Sequence, residues 1–151
     1  MKSSGSNFPL FVNLSDREIL IVGAGKIASR RIGTLLGFKA RIFVTAPSAE
    51  PQIKKWAEEG LLVYLDAPYD VSMLAGKYLV LACTDDEILN HQVVLACRQR
   101  KIMVNNCSNH EECDFYFPSV IRQDEIVIGI SGDGKSHGKV KDTRKRLESM
   151  L

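Results

Sequence analysis

Apolar residues in this chain fall in short blocks punctuated by glycine, proline and charge, and the spacing inside the blocks alternates between strand and helix type. Glu18–Val22 (EILIV) is a β-branched run of strand length. Gly23-Ala24-Gly25-Lys26-Ile27-Ala28 follows at once, and Ile27, Ala28, Arg31, Ile32, Leu35 and Leu36 then recur at helical spacing until Gly37. Residues 40–45 (ARIFVT) predict a second strand ended by Pro47, and Pro51 opens a helix through Trp56 to Glu59 that Gly60 closes. Residues 61–65 predict a third strand. Residues 78–83 (YLVLAC) predict a fourth, apolar throughout, as a strand covered on both faces must be. Asp85 and Asp86 are candidate caps for a helix over 87–99, and 102–105 is a short fifth strand.

Beyond Asn105 the alternation stops. Residues 115–121 (FYFPSVI) and 125–130 (EIVIGI) have hairpin spacing, with Arg122-Gln123-Asp124 as the turn and Pro118 restricting the first run to an edge or irregular strand. The turn Ser131-Gly132-Asp133-Gly134-Lys135-Ser136 leads into a basic helix over 137–150. The pattern predicts an α/β fold: a Rossmann-type doubly wound parallel sheet, then a hairpin and a C-terminal helix. Its expected division is 1–112 for the sheet domain and 113–151 for the hairpin and helix. Residues 1–7 are expected to fray.

At 151 residues, 45% hydrophobic and 25% charged, the composition suits one globular domain with a single core. A net charge of +2 gives no field to draw the chain to nucleic acid or a membrane surface. No apolar run approaches the roughly 20 residues of a membrane helix, and the start MKSSGSNFPLFV lacks the apolar stretch of a signal peptide. A cytoplasmic protein is expected. The four cysteines form no CxxC pair and stand at no zinc spacing from His91, His110 or His137, so no metal site and no disulfide framework is expected. Cys83 and Cys97 read as buried small hydrophobes; Cys107 and Cys113 flank a polar stretch and are the pair to watch.

The segment after the first strand has the form GxGxxA, the phosphate turn of a dinucleotide site. Gly23 permits the tight turn, Gly25 lets backbone approach a pyrophosphate, and Ala28 lets helix pack close on strand. Lys26 and Ile27 open the helix whose N-terminus supplies N–H donors. The acid that commonly holds the adenosine ribose at the end of the second strand is missing. Thr45-Ala46-Pro47-Ser48 stands there, with hydroxyls that either bond the ribose or cap the next helix. No Arg or Lys there greets a 2′-phosphate, which favours NAD over NADP. Thr84 and Asp85 after the fourth strand and Asn105 at the end of the fifth either line the nicotinamide side or serve as ordinary caps.

FPLFVNLSDREILIVGAGKIASRR, LACTDDEILN, VNNCSNHEECDFYFPSVI and ISGDGKS, in that order, resemble the precorrin-2 dehydrogenase and sirohydrochlorin ferrochelatase family, the N-terminal domain of siroheme synthases. The resemblance runs from Phe8 to the end of the chain. It implies NAD-dependent oxidation of precorrin-2 to sirohydrochlorin, a twofold homodimer built on the hairpin and last helix, and a basic rim for a polycarboxylate substrate. Arg122, Lys135, Lys139 and Lys141, with Ser136 beside them, cluster where that rim is expected, though a basic run is also the ordinary face of a solvated helix. The sequence departs from the family pattern in three places. Aligned on the VN…CDF block, Ser108 takes the position where members carry an acting Asp, and His110, Asp114 or Asp133 are the remaining candidates for a proton acceptor. In the glycine turn Gly132-Asp133 replaces the Ser-Gly or Thr-Gly of many relatives and His137 stands where a Pro is common, and the further helical region of relatives is largely lacking after Leu151. Losing the Asp argues against iron insertion, and leaves a noncatalytic NAD- or tetrapyrrole-binding module as the alternative to the dehydrogenase.

Overall fold

The computed structural model describes residues 7–151, and the fraying expected at the start falls on positions outside that range but for Asn7. The described chain divides into two compact units, Val12–Phe115 and residues 7–11 with Tyr116–Leu151.

The first unit is a parallel sheet of β1 (Glu18–Val22), β2 (Arg41–Ala46), β3 (Val63–Asp66), β4 (Leu79–Ala82) and β5 (Met103–Asn106), interleaved with α1 (Lys26–Leu35), α2 (Pro51–Glu58) and α3 (Glu87–Gln99). Strand order is β3-β2-β1-β4-β5, so the chain reverses its direction of winding between β1 and β4. That is the doubly wound fold expected from the sequence. β4 is buried at every position and β1 at all but Glu18, as central parallel strands must be. Leu20, Val22, Val80, Ala82 and Val104 pack with Val93, Val94 and Cys97 of α3 and with Leu74. Ile19 and Ile21 alternate to the opposite face and are equally inaccessible. Burying each such side chain contributes about 1.5–3 kcal/mol, which is why the two central strands anchor the unit.

Local chemistry sets the element ends. The predicted third strand starts two residues late: Gly60 takes a left-handed φ of 77°, and the Leu61 N–H returns to the Trp56 carbonyl, so 61–62 belong to the closure of α2. Asp86 alone caps α3, its carboxylate accepting from the Ile88 and Leu89 N–H groups. Asp85 is exposed and is not the cap.

In the second unit β6 (Ser119–Gln123) and β7 (Ile126–Ile130) pair antiparallel, and α4 (His137–Met150) follows. The first arm begins at Ser119 rather than 115, since Pro118 has no N–H for a ladder. Pairing continues through Arg122 and Gln123, so the turn is Asp124-Glu125 and not 122–124. Asp124 takes a φ of 52°, which tight hairpin turns favour. α4 buries no residue, and only Val140, Arg144 and Leu147 are even half-covered.

Candidate functional site

In an open doubly wound sheet the carboxyl ends of the two strands flanking the winding reversal leave a crevice, here between β1 and β4. Gly23 leaves β1 with a φ of 108°, and a Cβ there would lie 2.5 Å from the Cys83 carbonyl oxygen. Only glycine fits. Its N–H donates to the Thr45 carbonyl, and the Glu50 N–H donates to the Ala24 carbonyl, so the turn is fixed to the segment after β2.

Gly25 presents the opposite situation. A Cβ on it would meet nothing within 4 Å, and as the residue before α1 it offers no side-chain cap to the helix N–H groups. Gly25, Lys26 and Ile27 are exposed, whereas Ala28 is fully buried against the sheet. An uncapped helix start below open space, with a small residue closing helix on strand, is the cradle a pyrophosphate requires. The residues present therefore fit a dinucleotide.

On the β2 side the structure reassigns one candidate. Thr45 is 1% exposed, and its hydroxyl donates to the Ala67 carbonyl at 2.8 Å, so it neither faces a ribose nor caps a helix. Pro47 and Ser48 are exposed at the strand end. Glu50, the residue before α2, brings a carboxylate-bearing position next to the glycine turn through its backbone. Sequence reasoning missed it by looking only at the strand end.

Beyond β4 a polar chain joins two loops. Asn90 of α3 is wholly buried; its Oδ1 accepts from the Thr84 N–H (3.1 Å) and hydroxyl (2.6 Å), and its Nδ2 donates to the Thr84 carbonyl and to Ser108 Oγ (3.1 Å). Ser108 Oγ donates its one proton to Asn106 Oδ1 at 2.8 Å. Asn106 Nδ2 donates to Glu112 Oε2, and Glu112 Oε1 lies 2.6 Å from His91 Nδ1. Asn90, Asn106, Glu112 and His91 were not read as site residues. Asn90, as the Asn that ends LACTDDEILN, and Asn106 and Glu112, within VNNCSNHEECDF, lay in motif blocks; His91 had no signal.

Two candidates are committed to scaffold contacts. Asn105 is 3% exposed with both amide ends engaged, Oδ1 by Arg31 Nη1 (2.6 Å) and Nδ2 by the Phe115 carbonyl (2.9 Å). Asp114 accepts the Val104 N–H on Oδ2 at 3.0 Å, which makes it a partner for β5 rather than a free base. His110 is exposed at the start of a short 3-10 turn, and Ser108 is exposed just before it.

The cysteines sort differently from expectation. Cys83 and Cys97 are buried, as read from the sequence, but Cys107 interacts with Cys83 as well as lying near Cys113. A hydrogen bond from Cys83, with help from the nearby Arg31 guanidinium, holds the Cys107 thiol down to about 7; that bond and burial push Cys83 up. Among the described residues no group of three or more His, Cys, Asp or Glu side chains is placed to hold a metal ion.

In the second unit, Asp133 accepts from the Lys135 N–H at 2.8 Å, and this bond together with one from Ser136 holds its carboxyl below the ordinary range. An open groove of about 400 Å³ runs between Ile130–Asp133 and one side of α4. Ser136, Lys139 and Thr143 line it; Arg122 and Lys135, both exposed, do not. The groove also holds the Asp133 carboxylate, so its charge is mixed rather than uniformly basic.

Comparison with known proteins places this arrangement. A family model described as "Putative NAD(P)-binding" matches residues 10–119. The siroheme synthase of Psychrobacter sp. (strain PRwf-1) is 38% identical over 146 residues, 97% of this chain and 30% of that protein. The probable multifunctional siroheme biosynthesis protein HemA of Ruminiclostridium josui is 35% identical over 144 residues, 95% of this chain and 28% of that protein. The chain thus spans less than a third of the length of these curated relatives. Among solved structures, the precorrin-2 dehydrogenase SirC superposes with a TM-score of 0.80 at 27% identity, covering 96% of this chain and 71% of that one. No helix among the described residues is long and apolar enough to cross a membrane.

Proposed function

Since the chain belongs to the NAD(P)-binding family, we propose that it carries out the NAD-dependent oxidation of precorrin-2 to sirohydrochlorin in siroheme biosynthesis, in the cytoplasm. The observation that carries this reading is the open, uncapped start of α1 above Gly25 at the point where the sheet reverses its winding. Similarity to siroheme synthases and to a precorrin-2 dehydrogenase along nearly the whole chain supports the substrate. When bound, NAD⁺ would supply the two-electron acceptor for a hydride, and the chain's own residues would hold it in place and receive the proton the macrocycle releases. The N–H groups from Gly25 to Ile27 hold the pyrophosphate, Ser48 and Pro47 border the adenosine ribose, and Thr84 and Asp85 border the nicotinamide. The Asn90–Thr84 bonds keep that last turn rigid, which preserves the alignment a hydride transfer needs.

Ser108 is unsuited to take the released proton, because a neutral hydroxyl is barely basic and its oxygen already accepts a bond from Asn90 Nδ2. Asp114 is held by β5 and Asp133 by Lys135 and Ser136; the proposed acceptor is His110, exposed on the loop after β5, because imidazole is the side chain suited to taking up a proton. Arg122, Lys135 and Ser136, with Lys139, are proposed to meet substrate carboxylates, and residues 113–151 to form the dimerising region of a homodimer. A hydroxyl at Ser108 in place of a carboxylate also favours a second reading, a binding module that holds NAD without turnover, and speaks against iron insertion.

An anaerobic assay with precorrin-2 and NAD⁺ separates them. The dehydrogenase reading expects stoichiometric NADH and the sirohydrochlorin spectrum, weakened many-fold in His110→Ala. Stabilisation by NAD⁺ with no NADH formed establishes the binding module instead.

A further inference from the structure

We propose that Cys83 and Cys107 form an oxidisable dithiol, a modification site for a small hydroperoxide that closes into a disulfide across the carboxyl ends of β4 and β5. The argument begins with register. Ala82 pairs with Asn106 in the parallel ladder, and the Cys107 N–H donates to the Ala82 carbonyl at 3.0 Å, so the next residues, Cys83 and Cys107, stand side by side. Neighbouring strands lie about 4.8 Å apart, within the roughly 4.4–6.8 Å between α-carbons that a disulfide spans. Partners in a parallel register also project to the same face, and the thiols do meet: Cys83 donates to the Cys107 sulfur.

The two sulfurs have complementary roles. Cys107 is half-buried and so within reach of solvent, while Cys83 is 7% exposed behind it. Arg31 Nη1 lies 3.6 Å from Cys83 Sγ and stabilises negative charge in the pair. Cys113, the other nearby thiol, bonds with the Asn106 N–H and carbonyl, and burial pushes it up, so it remains a protonated structural thiol.

The chemistry balances in two steps. The Cys107 thiolate attacks the peroxide; an S–O bond forms, the O–O bond breaks, and the departing oxygen takes a proton as water or an alcohol. Cys83 then attacks that sulfur; the S–S bond forms, the S–O bond breaks, and the hydroxyl leaves as water with the Cys83 proton. Two thiols are oxidised and one hydroperoxide is reduced. Nothing in this depends on the dinucleotide reading.

The test exposes the folded chain to dilute hydrogen peroxide, alkylates the remaining thiols and maps the peptides by mass. The expected product has lost two of its four thiols and the mass of two hydrogens, with the cross-link between the peptides bearing Cys83 and Cys107, and dithiothreitol reverses it. Cys113→Ser is expected to behave the same way. Cys83→Ser is expected to stop at a sulfenate on Cys107, captured by dimedone. Because that substitution alters a buried position, the unoxidised natural chain gives a second reading: iodoacetamide at neutral pH is expected to label Cys107 roughly tenfold faster than Cys113. Retention of all four thiols, a Cys107–Cys113 bridge, a link between chains, or equal labelling of Cys107 and Cys113 overturns the proposal.

Discussion

Arg31 on α1 and Asn105 on β5 are 74 residues apart in sequence and joined by a hydrogen bond of 2.6 Å. The bond runs from a guanidinium to a buried amide that has no access to water as a substitute partner. Arg31→Ala is therefore expected to cost about 1–3 kcal/mol, read as a lower urea midpoint. It also removes a positive charge that favours the Cys107 thiolate. Cys107, held down to about 7 in the natural chain, is expected to show an alkylation midpoint shifted up toward the ordinary thiol range in the variant. An unchanged midpoint would show that the Cys83 hydrogen bond alone sets it.

The two glycines of the phosphate turn are expected to fail in different ways. Gly23→Ala combines a positive φ with a carbonyl oxygen 2.5 Å from the new methyl, and should lose more than about 3 kcal/mol or not fold. Gly25→Val projects into open space, so the chain should melt near the natural temperature. It should, however, lose the rise in Tm that NAD⁺ gives. Thermal melts with and without NAD⁺ check both.

Cys97, wholly inaccessible in the α3–β4 core, is pushed up to about 12 by burial, against an ordinary 9. A folded-state value above the unfolded one means stability is fully present below pH 9. It is lost as pH climbs toward 12, at about 1.4 kcal/mol per unit for one proton. Urea titrations at several alkaline pH values should show this extra slope. Cys97→Val, a thiol-free near-isostere, should be less steep by about that amount.

The hairpin bears on assembly. Ile126 is 59% exposed on β7, and Val127, Ile128 and Ile130 are only half-covered. If this surface joins two copies, Ile126→Asp should lower the mass seen by light scattering from twice the monomer value to the monomer value. A natural chain that is already monomeric at tens of micromolar would remove the dimer from the proposal.

Periodicity was enough for the sheet, because each strand and helix of the first unit carries its own local signal. Glu18–Val22, the glycine turn and the 87–99 helix fell where their residues put them. Where the chain closes on itself, local signals were insufficient. Gly60 delayed β3 by a helix-end bond to Trp56, and ladder pairing carried β6 past Ile121. The site was less legible still. Thr45 looked like a ribose ligand until Ala67, 22 residues on, took its hydroxyl. Cys107 looked like a partner for Cys113 until the parallel register set it beside Cys83. Each of these depends on a contact between distant segments, which spacing along one segment does not encode.

Asp114 has a consequence of its own. Its N–H donates to the Val104 carbonyl while its carboxylate takes the Val104 N–H, so one residue mimics a whole neighbouring strand along the outer side of β5. The end of a parallel sheet is otherwise a template on which a second polypeptide can lay down a matching strand. With Val104 already answered on both counts, that border is sealed: the sheet cannot grow by accretion there, and chains that meet at β5 must do so through side chains.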